Sequence, residues 1–129
     1  MTHPTPGTLA WFEVATNDPD IAEKFYGSLF DWSFQADGPA ASGGMDYRNI
    51  TASGAEVPMG GVFGTGGQVP NHAVFYIVVA DVEATCADAE QLGGTVLSKH
   101  LDPGPGAPTF AYLRDPLGNR FGVFTPPAA

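Results

Sequence analysis

Glu13 lies two residues beyond Trp11 in the run LAWFEVAT. A strand turns successive side chains to opposite faces, so the carboxylate and the indole share a side. A carboxylate is uncommon in so apolar a strand. Two readings stay open. In one, Glu13 pairs with Arg48 or Arg120 and is structural. In the other it binds a ligand or acts as a general base, with its pKa raised by burial. His72, Val74 and Tyr76 alternate in the same way along NHAVFYIVV. His72 reads as a rim histidine that makes a hydrogen bond, with proton transfer as its second reading. Arg120 shares a side with Gly122 and Phe124, and Phe110 and Tyr112 stand in the run before them. Aromatics in a small β-rich domain are mostly core, but a few on an open face make a stacking surface for a flat ligand. Arg120 neutralises Glu13 or meets an acidic ligand. Arg48 lies in a strand whose facing is open. His3 and His100 read as solvated. Cys86 reads as a small core residue.

These residues are positioned by a strand, a capped turn and a helix that occur twice. Strand one runs from about Thr8 to Thr16. Asn17-Asp18-Pro19-Asp20 then starts a helix: Asp18 caps, Pro19 suits the first turn, and Asp20 favours the positive end of the dipole. Ile21, Phe25 and Leu29, beside Ala22 and Tyr26, form its apolar stripe. Gly27 costs this helix about 1 kcal/mol relative to Ala. Strands follow at about 32–36, 45–51 and 59–63, with a loop over 38–44. The stretch from Gly64 to Pro70 is the linker. The plan then repeats: a strand over 73–79, a helix capped by Asp81 with Val82, Cys86, Ala89 and Leu92 inward, and Gly93-Gly94 to end it. Further strands fall at about 95–99, 109–114 and 119–125, the last two joined by a turn at Asp115-Pro116-Leu117-Gly118-Asn119. The two caps stand 63 positions apart, which makes an internal repeat. The expected modules are 8–64 and 71–125 within one domain, 1–129.

Composition sets limits. A hydrophobic share of 43% supports a core. Five basic against 14 acidic residues, net −9, argue against nucleic acid and anionic membranes as partners. One cysteine excludes an internal disulfide and a thiolate metal cluster. No apolar run approaches the roughly 20 residues of a membrane span. MTHPTPG has neither region of a signal peptide, so a cytoplasmic protein is expected. Gly60-Gly61 lacks the lysine and helix of a phosphate-binding loop and instead allows close approach of strands.

The segments WFEVATNDPDIAEKFYGSLFDW, VADVEATCADAEQLGG and above all YLRDPLGNRFGVF resemble the vicinal oxygen chelate superfamily of glyoxalase I, extradiol dioxygenases and bleomycin-resistance proteins. The resemblance implies an α+β fold: two βαβββ modules related by a pseudo-twofold, their curled sheets enclosing a cavity. It also implies a divalent metal held by His and Glu on the concave face. The corresponding positions here are Trp11, Val74 and Gly122, none of which offers a side-chain donor. The mouth therefore reads as apolar and partly empty, with no metal and no cofactor.

Three functions follow from that resemblance. The first is metal-independent binding of a small aromatic or apolar molecule, for sequestration or resistance; the acidic, aromatic-lined cavity also suits a cation. Its candidate ligand-binding residues are Trp11, Val74, Arg48, Tyr112, Arg120, Gly122 and Phe124. The second is a metal-independent isomerase, cyclase or lyase in which Glu13, His72 or Tyr76 moves a proton. The third is a metal lyase or dioxygenase with a shifted Glu13/His72 site. Relatives of this length and an apolar outer face on the first strand imply a homodimer.

Overall fold

The computed structural model describes residues 5–36, 46–102 and 104–127. The chain divides into two compact units: Trp11–Ala73, and Met1–Ala10 with Val74–Ala129. Each is built around one strand-helix-three-strand module. His3, the loop 38–44 and Pro103 lie outside the described residues.

The first module contains β1 (Leu9–Thr16), α1 (Pro19–Phe30), β2 (Ser33–Ala36), β3 (Tyr47–Thr51) and β4 (Gly60–Gly64). Its strands lie in the order β2-β3-β4-β1, with β1 and β4 parallel and the other pairs antiparallel. The helix starts where the sequence predicts. Asp18 Oδ1 accepts from the Ile21 amide at 3.1 Å, and Pro19 occupies the first position. It ends at Asp31, in the left-handed region at φ 59°, whose amide reaches the Gly27 carbonyl at 3.0 Å.

The predicted buried stripe of α1 is corrected. Ile21, Phe25 and Leu29 are all more than half exposed, and no α1 residue is fully buried. The helix faces its sheet through Ala22, Glu23, Tyr26 and Gly27 instead. Gly27 explains the rotation. A Cβ there would stand 3.3 Å from the Trp32 carbonyl oxygen, so glycine lets helix and chain close up on this side. Trp32 packs between Phe12 of β1 and Tyr26 of α1, with ring centroids 5.8 and 5.6 Å away.

The second module contains β5 (His72–Val78), α2 (Val82–Gln91), β6 (Thr95–His100), β7 (Thr109–Arg114) and β8 (Arg120–Thr125). Its order is β5-β8-β7-β6, with β5 and β8 parallel. Asp81 caps α2 by accepting from the Ala84 amide at 3.0 Å. Val82 and Cys86 of α2 pack with Ala111, Leu113 and Val123 as a closed core. Burial pushes the Cys86 thiol pKa up, as befits a core residue. Leu92, placed inward by the sequence pattern, is exposed, because the helix has ended at Gln91 and Gly93 turns the chain away at φ 97°. Among the described residues, no helix is long and apolar enough to cross a membrane.

Candidate functional site

In both modules the helix covers one face of the sheet, and strand alternation turns Glu13 and Trp11, and Tyr76 and Val74, to the other. Register makes the modules comparable. Glu13 of β1 lies beside Gly61 of β4, which lies beside Asn49 of β3. Tyr76 of β5 lies beside Gly122 of β8, which lies beside Tyr112 of β7. Glu13 and Tyr76 therefore hold equivalent places, as do Asn49 and Tyr112, and Gly61 and Gly122.

In the first module, Trp11, Glu13, Tyr47 and Asn49 share the face away from α1. Trp11 Nε1 donates to the Tyr47 hydroxyl at 2.9 Å. The Tyr47 ring lies over Gly61, whose missing side chain makes its room. Glu13 is buried, at 6% exposure. The carboxylate is thus enclosed on a face with one indole, one phenol and one amide.

Arg48 is corrected as a ligand-binding candidate. It points to the α1 side, where its guanidinium meets Asp20 at 2.8 Å, Asp46 at 3.1 Å and Glu23 at 3.3 Å. Hydrogen bonds to Asp46, opposed by partial burial, raise its pKa above the usual arginine range. Neighbouring positions on a strand face oppositely, so Arg48 cannot join Tyr47 and Asn49.

In the second module, Val74 and Tyr76 are buried and share a face. The Tyr76 ring fills the place above Gly122: a Cβ on that glycine would sit 2.5 Å from two ring carbons. The expected partly empty mouth is, at Gly122, occupied by an aromatic ring. The Tyr76 hydroxyl donates to the Tyr112 hydroxyl at 2.6 Å. Phe124 stands edge-on to Tyr76, with centroids 6.1 Å apart, and Phe110 edge-on to Tyr112 at 5.8 Å. The Arg120 guanidinium lies 5.3 Å over the Tyr112 ring. His100 is exposed, as its reading as solvated expects, and its ring stacks on Phe110 at 4.3 Å and continues this aromatic face.

His72 stands at the head of β5, half-buried, with Nδ1 2.9 Å from the Pro70 carbonyl oxygen. A carbonyl only accepts, so Nδ1 is the donor in this contact.

The residues at the three family positions do not fit a divalent ion. Trp11 is a donor already turned to Tyr47, Val74 has no polar atom, and Gly122 lies under a phenol ring. Among the described residues, no three His, Cys, Asp or Glu side chains gather to hold a metal.

Pattern reading missed Tyr47, Asn49 and His100. The repeat itself carried a signal for the first two. GGVF at 60–63 and FGVF at 121–124 place a glycine at the same point of each module, so the strand before each should supply the flanking side chains.

The chain belongs to the glyoxalase-like domain family, whose model matches residues 11–124. With that and its fold it falls within the vicinal oxygen chelate superfamily. It is 38% identical over 126 residues to a protein named putative glyoxylase CFP32 of Mycobacterium tuberculosis, covering 93% of this chain and 44% of that protein. The chain thus spans less than half of that relative's length. It is 33% identical to a glyoxylase-like domain-containing protein of Didymella fabae, covering 94% of this chain and 95% of that one. The crystal structure of methylmalonyl-CoA epimerase from Mycobacterium tuberculosis superposes with a TM-score of 0.66 at 12% identity, over 99% of this chain and 93% of that chain. That likeness speaks for the fold alone.

Proposed function

We propose that this chain is a metal-independent glyoxalase-fold protein that binds a small planar organic molecule on the helix-free face of its second module. One observation carries the reading. Tyr112, Phe110 and Phe124 are half-buried on a face that α2 does not cover, and they are held in place by the Tyr76–Tyr112 hydrogen bond and edge-to-face contacts. Rings fixed in this way bind a flat partner with little loss of side-chain entropy. The test is calorimetric titration with 2-naphthamide, a neutral planar probe. The probe should bind saturably and be recovered unchanged. Tyr112→Ala should weaken binding about tenfold, the loss of roughly one good aromatic contact. Unaltered affinity in that variant overturns the reading.

The burial of Glu13 supports a second reading, in which the first module moves a proton for an isomerase, cyclase or lyase. Under it a small-metabolite substrate is converted, and Glu13→Gln abolishes the conversion. Full activity in that variant removes Glu13 from the role. We also propose a homodimer that covers the exposed Ile21, Phe25 and Leu29. Light scattering should give twice 13.4 kDa, and Phe25→Ser with Leu29→Ser should halve it. A single-chain mass for the unaltered protein defeats it.

A further inference from the structure

The chain has only five basic side chains, and Arg48 is committed to three carboxylates. Two of the other four, Arg114 and Arg120, are placed directly opposite each other by the β7–β8 register. They share a face because their neighbours do: Leu113 and Phe121 turn to the α2 core, so Arg114 and Arg120 turn the other way, beside Tyr112 and Gly122. Side chains opposite one another across antiparallel strands have Cβ atoms about 5 Å apart, and like charges there repel. Among the described residues, no carboxylate stands within ion-pair distance of either guanidinium. Asp115, the next residue along, turns its oxygens into the hairpin: Oδ1 accepts from the Leu117 and Asn119 amides and Oδ2 from the Asn119 side chain, each at 2.9 Å. In a protein of net charge −9, an opposed arginine pair that acid leaves unpaired is an electrostatic exception.

We propose that Arg114 and Arg120 form an oxyanion-binding end to the aromatic face, so that the second module takes a planar aromatic acid. The assignment rests on the binding reading above and adds the chemical class of the ligand. Arg120 is already laid over Tyr112, which holds its guanidinium at the edge of the stacking surface. A guanidinium offers paired N–H donors that match two oxygens of a carboxylate, sulfonate or phosphate. An oxyanion placed between the two arginines meets both and cancels their repulsion. The rings take the flat body of the ligand, and the arginines set its direction along the face.

The test compares 2-naphthoate with 2-naphthamide, which share a ring system and differ in charge. The acid should bind the unaltered protein about tenfold more tightly, the increment of a charge-assisted hydrogen-bond pair. In R114Q/R120Q that ratio should fall to near one. Each single Gln variant should lose part of it, which keeps the test intact if the double variant fails to fold. Both arginines are exposed, so the single variants should retain the fold. R48Q makes the same change in net charge on the helix side of the first module and should leave the ratio as it is. Equal binding of acid and amide to the unaltered protein overturns the arginine assignment and leaves the binding reading standing. An equal fall in R48Q would show that net charge alone sets the preference, which also overturns it. Binding of neither probe removes both.

Discussion

The two modules share one topology and one glycine, yet they fill the helix-free face with different chemistry. At equivalent points the first has Glu13, Asn49 and Tyr47, and the second has Tyr76, Tyr112 and Phe110. Both lay a phenol ring over the glycine of the last strand, but from different directions. Tyr47 comes from the neighbouring strand β3, and Tyr76 from β5 at the glycine's other side. The repeat therefore conserves the backbone and its spacing while leaving the side chains free to diverge. One face became polar and enclosed around a carboxylate; the other became an aromatic floor with arginines at its end. Overall charge conceals this. A net −9 suggests a preference for cations, but the β7–β8 register sets two cations, Arg114 and Arg120, opposite each other.

Substitutions at the shared glycines should separate the modules most. Gly122→Ala drives a Cβ into the body of the buried Tyr76 ring and should cost about 2–3 kcal/mol in denaturant unfolding. Gly61→Ala meets the far end of the half-buried Tyr47 side chain, which can shift, and should cost about 1 kcal/mol. Equal costs would show that the two rings are held alike. Next in size, Arg48→Ala should cost about 1–2 kcal/mol, because it strips three carboxylates of a shared cation, and 1 M salt should shrink the difference. A loss that salt leaves untouched would point to lost packing instead.

Tyr76→Phe keeps the ring over Gly122 and deletes one hydroxyl. It should cost about 1 kcal/mol, the net worth of one hydrogen bond, and a neutral result would show that the Tyr76–Tyr112 contact does not rigidify the face. The smallest effect concerns acid. Hydrogen bonds from Asn119 and the turn amides hold the Asp115 carboxyl below its ordinary pKa of 3.8. A carboxyl whose folded pKa is depressed adds stability above its unfolded pKa and loses it as pH falls through the folded value. Asp115→Asn should therefore flatten the unfolding profile below about pH 4 and leave the acid dependence at higher pH alone. An acid limb of unchanged slope would contradict this.

Much of the fold was legible because it rests on local rules. Asp18 and Asp81 cap their helices, the DPLGN turn joins β7 to β8, and two-residue alternation put Trp11 with Glu13 and Arg120 with Phe124. What escaped depends on three-dimensional partners. The α1 stripe was plain in sequence, but which side of the helix docks was settled by Gly27, where the chain closes up against Trp32. Arg48 left its facing open until register placed it beside Ile50 on the helix side. Gly122 read as empty space because a sequence shows the missing side chain and not the ring that enters from the next strand. His100 is exposed, as read, but nothing local predicts its stacking on Phe110 across the β6–β7 pair.

We propose, above all, that a flat ligand lies on the second module's helix-free face. The most direct measurement is a backbone-amide NMR titration of the unaltered protein with 2-naphthoate. Saturable shifts should gather at Tyr76, Tyr112, Arg120, Gly122 and Phe124, with α1 silent. Shifts gathered instead along Ile21, Phe25 and Leu29, or rising without saturation, would contradict it.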